Sequence, residues 1–135
     1  MAWLAAVHRR QGDLPAAIEL GRLALDVGAA AGVADVECDA LNCLGETYLA
    51  LGDIEMAANL HKRAESLATG HNLTLEIARA AEGQAHIALR HGNPAEARRL
   101  WEQALTQYPE PLTDQAHARA HLASPDSTCE RCAVG

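Results

Sequence analysis

The sequence predicts an all-α protein built from tandem helix–turn–helix repeats. Three observations predict this fold. Dipeptides of Gly followed by Asp or Asn recur 40 residues apart, beginning at Gly12, Gly52 and Gly92. Columns of alanine and leucine share that register. The segments between the dipeptides carry apolar residues at the three- and four-residue spacings of helices.

The recurring dipeptide has the chemistry of a turn between two helices. Glycine suits the left-handed residue that follows a helix, and Asp or Asn is a preferred N-cap of the next helix. We therefore expect first helices over 36–51 and 75–91, and second helices over 14–27, 54–69 and 94–107. Pro94 fits the first position of its helix, and Gly70 is expected to close the middle one.

These helices define three units, at about residues 1–30, 33–70 and 73–108, which form a single array over 1–123. A capping helix is expected over 112–123 and a flexible tail over 124–135. Small residues should let the two helices of the middle unit approach closely, and we expect Gly45, Ala57 and Ala64 in this role. One unit cannot bury its own apolar face, so stability must come from stacking.

Composition narrows the function classes. The 135 residues carry a net charge of −7, which disfavours direct binding to nucleic-acid phosphates. There are two Trp, two Tyr and no Phe, too few for a base-stacking platform. No apolar run is long enough for a membrane span, and no signal peptide is recognisable, so we expect a cytoplasmic protein without membrane contact. The four cysteines are expected to be thiols.

The middle unit resembles a tetratricopeptide repeat. The residues that carry the resemblance are Leu41, Leu44, Gly45, Tyr48, Ala57, His61 and Ala64. Leu41 stands where that family usually has Trp, and His61 stands at a usual aromatic position. The resemblance covers roughly residues 1–108 and implies a right-handed solenoid that binds a protein or peptide partner.

The 40-residue period and the segment Ala40–Gly45 are similar to the C-terminal arrays of bacterial regulators, especially actinobacterial ones. The resemblance implies an interaction module of a transcriptional or signalling regulator. The first unit looks truncated, since only eleven residues precede Gly12. This favours either a fragment of a longer protein or self-association through the N-terminal end.

The family typically binds partners on the groove lined by the first helices, so the resemblance also implies groove residues. At the matching positions stand Asp39, Asn42, Glu46, Leu49, Arg79, Glu82, His86, Leu89 and Arg90. The alternative is that these residues form a solvent-exposed face of a structural spacer and bind no partner. Chaperone-binding members hold a terminal carboxylate with a clamp of several donor side chains. That clamp is not expected here, because Arg79 is the one residue at the matching positions that carries a suitable donor.

A rival hypothesis is a zinc site in the tail, formed by His117, His121, Cys129 and Cys132. Two imidazoles and two thiolates would complete tetrahedral coordination, although the order reverses that of a zinc finger and the His pair can arise by chance. No phosphate-binding loop, nucleophile elbow or metalloprotease motif occurs. We therefore expect a protein that is not an enzyme and that uses no cofactor or metal.

Overall fold

The computed structural model describes residues 2–108 and Leu122. Six α-helices fill residues 2–108, and no strand occurs in that range, which confirms the predicted all-α class. The helices are α1 (Ala2–Arg10), α2 (Leu14–Ala31), α3 (Ala34–Leu51), α4 (Ile54–Gly70), α5 (Thr74–Arg90) and α6 (Pro94–Gln107).

The helices pack as three successive hairpins, α1 with α2, α3 with α4 and α5 with α6. Each hairpin also packs against the next one, through α2 with α3 and α4 with α5. In addition, α1 contacts α3 and α3 contacts α5, so the first helices form a layer of their own. This α1–α3–α5 layer carries the polar cluster and the openings described below, and the arrangement is that of a helical repeat solenoid.

The predicted turns are confirmed. Gly12, Gly52 and Gly92 have φ values of 82°, 91° and 72°, the left-handed conformation that glycine adopts without steric cost. The Asp or Asn that follows each glycine caps the next helix, with its side chain accepting from a backbone amide three residues later.

Within residues 2–108, every predicted helix bound lies within two residues of the observed one except the end of α2, and the turn after α4 is also distinctive. Helix α2 continues to Ala31 and ends at the left-handed Gly32, because Gly28 lies close enough to Glu37 to keep the last turn packed on α3. Gly70 is the last residue of α4, but the left-handed residue of that turn is Asn72, with φ of 56°. Asparagine tolerates this conformation better than most residues with a side chain.

The main apolar core lies between α3, α4 and α5. Its buried residues include Leu41, Leu44, Leu60 and Ala64, with Leu67 packed on it at the edge. The small residues expected at the helix contact, Gly45, Ala57 and Ala64, are all buried. At Gly45 a Cβ atom would lie 2.6 Å from His61 of α4, so the close approach of α3 and α4 at this position depends on glycine, as the sequence predicts.

Part of the sequence-based prediction lies outside the described residues. This applies to most of the capping helix over 112–123, to the tail over 124–135 and to all four candidate zinc ligands, His117, His121, Cys129 and Cys132. Leu122 is described, and it is helical and packs against the cluster that contains Leu100 and Trp101. Among α1 to α6, no helix combines the length and apolarity needed to cross a membrane.

Candidate functional site

A cluster of ion pairs lies in the α1–α3–α5 layer. The guanidinium of Arg79 in α5 contacts Asp39 at 2.5 Å, Glu76 at 3.2 Å and Glu46 at 3.4 Å. Arg9 in α1 donates to the second oxygen of Glu46 at 2.9 Å. The two guanidinium groups therefore connect all three helices of the layer through the carboxylate of Glu46.

The cluster is largely shielded from water. The side chains of Arg9 and Arg79 expose only 3% and 13% of their surface. Burial would lower the pKa of Arg79, but the attraction of Glu46 and Glu76 outweighs it and holds that pKa well above its usual value. Burial raises the pKa of Glu76, and Arg79 offsets part of that rise. Removing one partner would leave a buried charge without compensation.

Two fully buried polar side chains lie beneath the cluster. Asn42 donates from its amide nitrogen to the carbonyl oxygen of Glu76 at 3.1 Å and to its carboxylate at 2.9 Å. Its amide oxygen is 2.9 Å from Nδ1 of His61 in α4. Asn42 thus joins α3 to α4 and α5, and both Asn42 and His61 have 0% exposure.

The hydrogen bonds fix the tautomer of His61, and burial keeps its ring neutral. Because the amide nitrogen of Asn42 donates to Glu76, its oxygen faces His61 and accepts from Nδ1–H. Burial lowers the pKa of His61 to about 4, so the imidazole is neutral at pH 7. Its Nε2 is therefore an acceptor, and that atom has no hydrogen-bond partner among the described residues.

Two glycines make room for the tip of this imidazole. A Cβ atom on Gly45 would lie 2.6 Å from Nε2 of His61, and one on Gly83 would lie 2.3 Å from it. His61 also lines a small cavity beside Gly83, with Glu46, Leu49, Arg79, Glu82 and His86 as the other walls. About 20 Å³ of this cavity is open to a water-sized group. We call it the His61 cavity.

A wider cleft of about 740 Å³ opens beside the ion-pair cluster. Its apolar walls include Trp3, Val36 and Leu75, which are 71%, 40% and 38% exposed. Its charged walls are Asp35, Asp39, Glu76 and Arg79. We call this opening, which lies between α1 and the starts of α3 and α5, the acidic cleft. It offers apolar contact and an excess of carboxylates in one place.

Comparison with known proteins identifies the family of this chain. The family model described as tetratricopeptide repeat matches residues 1–70, about half of the chain. The chain belongs to the tetratricopeptide repeat family. Repeats of this family generally mediate protein–protein interaction and are generally not catalytic. No curated protein sequence matches the chain.

The tetratricopeptide repeats place several of the predicted groove residues together. Asp39, Glu46 and Arg79 belong to the ion-pair cluster. Glu46 and Arg79 also line the His61 cavity together with three other predicted residues, which are Leu49, Glu82 and His86.

The other predicted groove residues lie apart from these openings. Asn42 is fully buried, and its amide is engaged with Glu76 and His61, so it supports the surface from below. Leu89 is half-buried against the cluster that contains Trp101. Arg90 is exposed at the last position of α5.

Sequence reasoning missed four residues that shape this surface of the repeats, namely Trp3 and Arg9 in α1, His61 in α4 and Glu76 in α5. Arg9 contacts Glu46 and Glu76 contacts Asn42, in each case on another helix, and such pairs depend on how the helices are offset. One signal was present in the sequence, since Glu76 and Arg79 have the i, i+3 spacing of a helical ion pair.

Both cysteines within the described repeats are buried thiols. Burial, with a smaller effect of nearby carboxylates, raises the pKa of Cys38 and of Cys43 to about 11. Such thiols are poor nucleophiles and poor metal ligands at neutral pH. Across residues 2–108 and Leu122, no group of three or more His, Cys, Asp or Glu is arranged to hold a metal ion.

Proposed function

We propose that the chain is a non-catalytic interaction module that binds a partner peptide or helix along the α1–α3–α5 layer. The observation that carries this proposal is the acidic cleft. Its volume of about 740 Å³ lies within the range of ligand pockets, roughly 300–1,000 Å³. The family assignment supports the same class of function.

The walls of the cleft favour a partner that is both apolar and basic. Trp3, Val36 and Leu75 offer apolar surface at which a partner side chain can be anchored. Three carboxylates stand against one guanidinium among the charged walls, which leaves a formal excess of two negative charges. A peptide with Lys or Arg beside apolar residues complements this surface in charge and in polarity.

The proposal can be tested with a random dodecapeptide library displayed on phage. The chain is immobilised, and peptides that bind it are then synthesised with a fluorescent label and measured by anisotropy. We expect enrichment of peptides that combine basic and apolar residues. We expect Leu75→Ser and Trp3→Ser to weaken their binding about fivefold to tenfold, since central apolar anchors carry most of the binding energy.

Leu51→Ser is the matched control, because Leu51 is 53% exposed and lies outside the cleft. It should leave the affinity unchanged. Circular dichroism and urea unfolding of each variant would show that the repeats remain folded. Failure to enrich any peptide, or equal binding by all three variants, would contradict the proposal and favour a structural spacer.

We further infer that this module belongs to a bacterial transcriptional or signalling regulator that acts in the cytoplasm. The support is the similarity of Ala40–Gly45 and of the 40-residue period to the arrays of such regulators. An immunoblot of the natural source tests this inference. A polypeptide that also carries a DNA-binding or nucleotide-binding domain would support it, and a product consisting of the repeats alone would contradict it.

A second candidate function is self-association through α1. Trp3 and Val7 are exposed, whereas the residues 40 positions later, Cys43 and Thr47, are buried and Cys43 contacts the backbone of Ala2 in the preceding unit. The exposed pair therefore occupies positions that a preceding repeat would cover, and we propose a second copy in that place. Native mass spectrometry should show dimers, and Trp3→Glu should abolish them. A strict monomer at all concentrations would contradict this.

A further inference from the structure

The His61 cavity contains a buried acceptor that the described part of the chain leaves unused. Nδ1 of His61 donates to Asn42, and the opposite ring atom, Nε2, has no hydrogen-bond partner among the described residues. Glycines at positions 45 and 83 keep side chains away from this atom. A buried polar atom without a partner costs stability, so the arrangement favours a donor from outside the described residues.

The walls of the cavity favour a positively charged donor. Two carboxylates line it, those of Glu46 and Glu82, against the one guanidinium group of Arg79. The formal charge of these three side chains is therefore −1. A cation that entered the cavity would gain an acceptor and a negative surrounding together.

The size of the cavity distinguishes the two basic side chains. About 20 Å³ is open to a water-sized group, which is enough for one such group. The ammonium group of lysine is compact, whereas the guanidinium of arginine is a planar group of four heavy atoms. Leu49 adds an apolar wall against which the carbon chain of a lysine can pack.

We propose that the His61 cavity receives the ammonium group of a lysine side chain of the partner. The ammonium donates a hydrogen bond to Nε2 of His61 and places its charge beside Glu46 and Glu82. This inference rests on the proposed function, since the lysine belongs to the peptide or helix bound along the α1–α3–α5 layer. It adds a position in that partner where lysine is required and arginine is excluded.

The test is an NMR titration of the whole chain carrying ¹⁵N-labelled histidine and backbone. The probe is n-butylammonium chloride, which has the head group and carbon chain of lysine, and n-butylguanidinium chloride is the matched cation. We expect saturable shifts of the His61 Nε2 resonance and of the Gly83 amide with butylammonium. Butylguanidinium should bind about tenfold more weakly or not at all.

Glu82→Gln should weaken butylammonium binding about tenfold, because it removes one wall charge with little change in shape. Glu55→Gln is the control, since Glu55 is exposed in the first turn of α4. The comparison of the two cations in the unaltered chain needs no variant, so it holds even if Glu82→Gln perturbs the fold. Equal binding of the two cations would overturn the proposal, as would the absence of any saturable shift at His61.

Failure of the lysine site can be distinguished from failure of the proposed function. Library peptides that bind the acidic cleft and leave the His61 resonance unchanged, with every lysine replaceable by arginine, would refute the lysine site alone. Failure to obtain any peptide would refute the proposed function, whatever the titration shows. A selected peptide in which one Lys→Arg replacement both weakens binding and restores the free His61 resonance would support both.

Discussion

Acid should destabilise this protein through the buried imidazole of His61. The folded chain keeps this imidazole neutral, because burial lowers its pKa from 6.5 to about 4. In the unfolded chain the imidazole takes up a proton near its ordinary pKa of about 6.5. Between these two values the unfolded state binds more protons, so the free energy of unfolding falls as the pH falls.

The magnitude follows from the two pKa values. This contribution is fully present above pH 6.5 and is lost as the pH falls toward 4, at up to about 1.4 kcal/mol per pH unit. Between pH 7 and pH 5 the loss is about 2 kcal/mol. The raised pKa of Glu76 acts in the opposite direction, since the folded state takes up that proton first, and this effect is present whether or not residue 61 titrates.

The assay is urea unfolding followed by circular dichroism at pH 7, 6 and 5, for the natural chain and for His61→Gln. Glutamine does not titrate, and its amide can still donate toward Asn42, so the variant should lose about 2 kcal/mol less between pH 7 and pH 5. His91→Gln removes an exposed histidine and serves as control. Parallel pH profiles for the natural chain and His61→Gln would refute the assignment of a neutral, buried imidazole.

Two further predictions concern packing and thiol reactivity. Gly83→Ala should lower the free energy of unfolding by about 1–3 kcal/mol, since its Cβ would lie 2.3 Å from His61. Gly70→Ala, with nothing within 4 Å, should raise it by about 0.5–1 kcal/mol. Urea midpoints test both, and equal midpoints would contradict the packing argument. Cys38 and Cys43, with pKa values of about 11, should resist iodoacetamide at pH 8 until urea unfolds the chain, as peptide mass mapping can check. Rapid modification of the folded chain would contradict their burial.

The turns of this fold were predictable because their chemistry is local. A glycine can take the left-handed conformation and an Asp or Asn can cap a helix whatever the rest of the chain does. The dipeptides at Gly12, Gly52 and Gly92 therefore located three helix–helix connections directly. The turn after α4 has no such dipeptide; Gly70 ends the helix as expected, and the left-handed residue of that turn is Asn72.

The surface was predictable only in part, because its contacts join helices that are far apart in the sequence. The repeat register indicates which helices form the layer, and Asp39, Glu46 and Arg79 of that layer lie near one another. It could not indicate that Asn42 points inward, since a polar residue on a first helix suits solvent equally well. Asn42 is buried only because His61 and Glu76 supply its partners from two other helices.

One position of the repeat shows why the units look degenerate in sequence and still pack. Residues 21, 61 and 101 share the 40-residue register and are Gly, His and Trp. Leu44 fills the space at Gly21, where a Cβ would lie 2.7 Å from it, whereas Gly45 and Gly83 yield space to His61.

Trp101 is likewise enclosed by the small residues of its own cluster, Ala85, Ala88 and Ala97. The size of one side chain is thus matched by that of its neighbours, which lie at other register positions and mostly in other helices. A comparison of aligned positions scores glycine, histidine and tryptophan as mismatches, although each is the complement of its own surroundings. The same reasoning explains why a polar imidazole fits an aromatic position in the middle unit, since the amide oxygen of Asn42 accepts a hydrogen bond from Nδ1–H and the two glycines leave space for the tip of the ring.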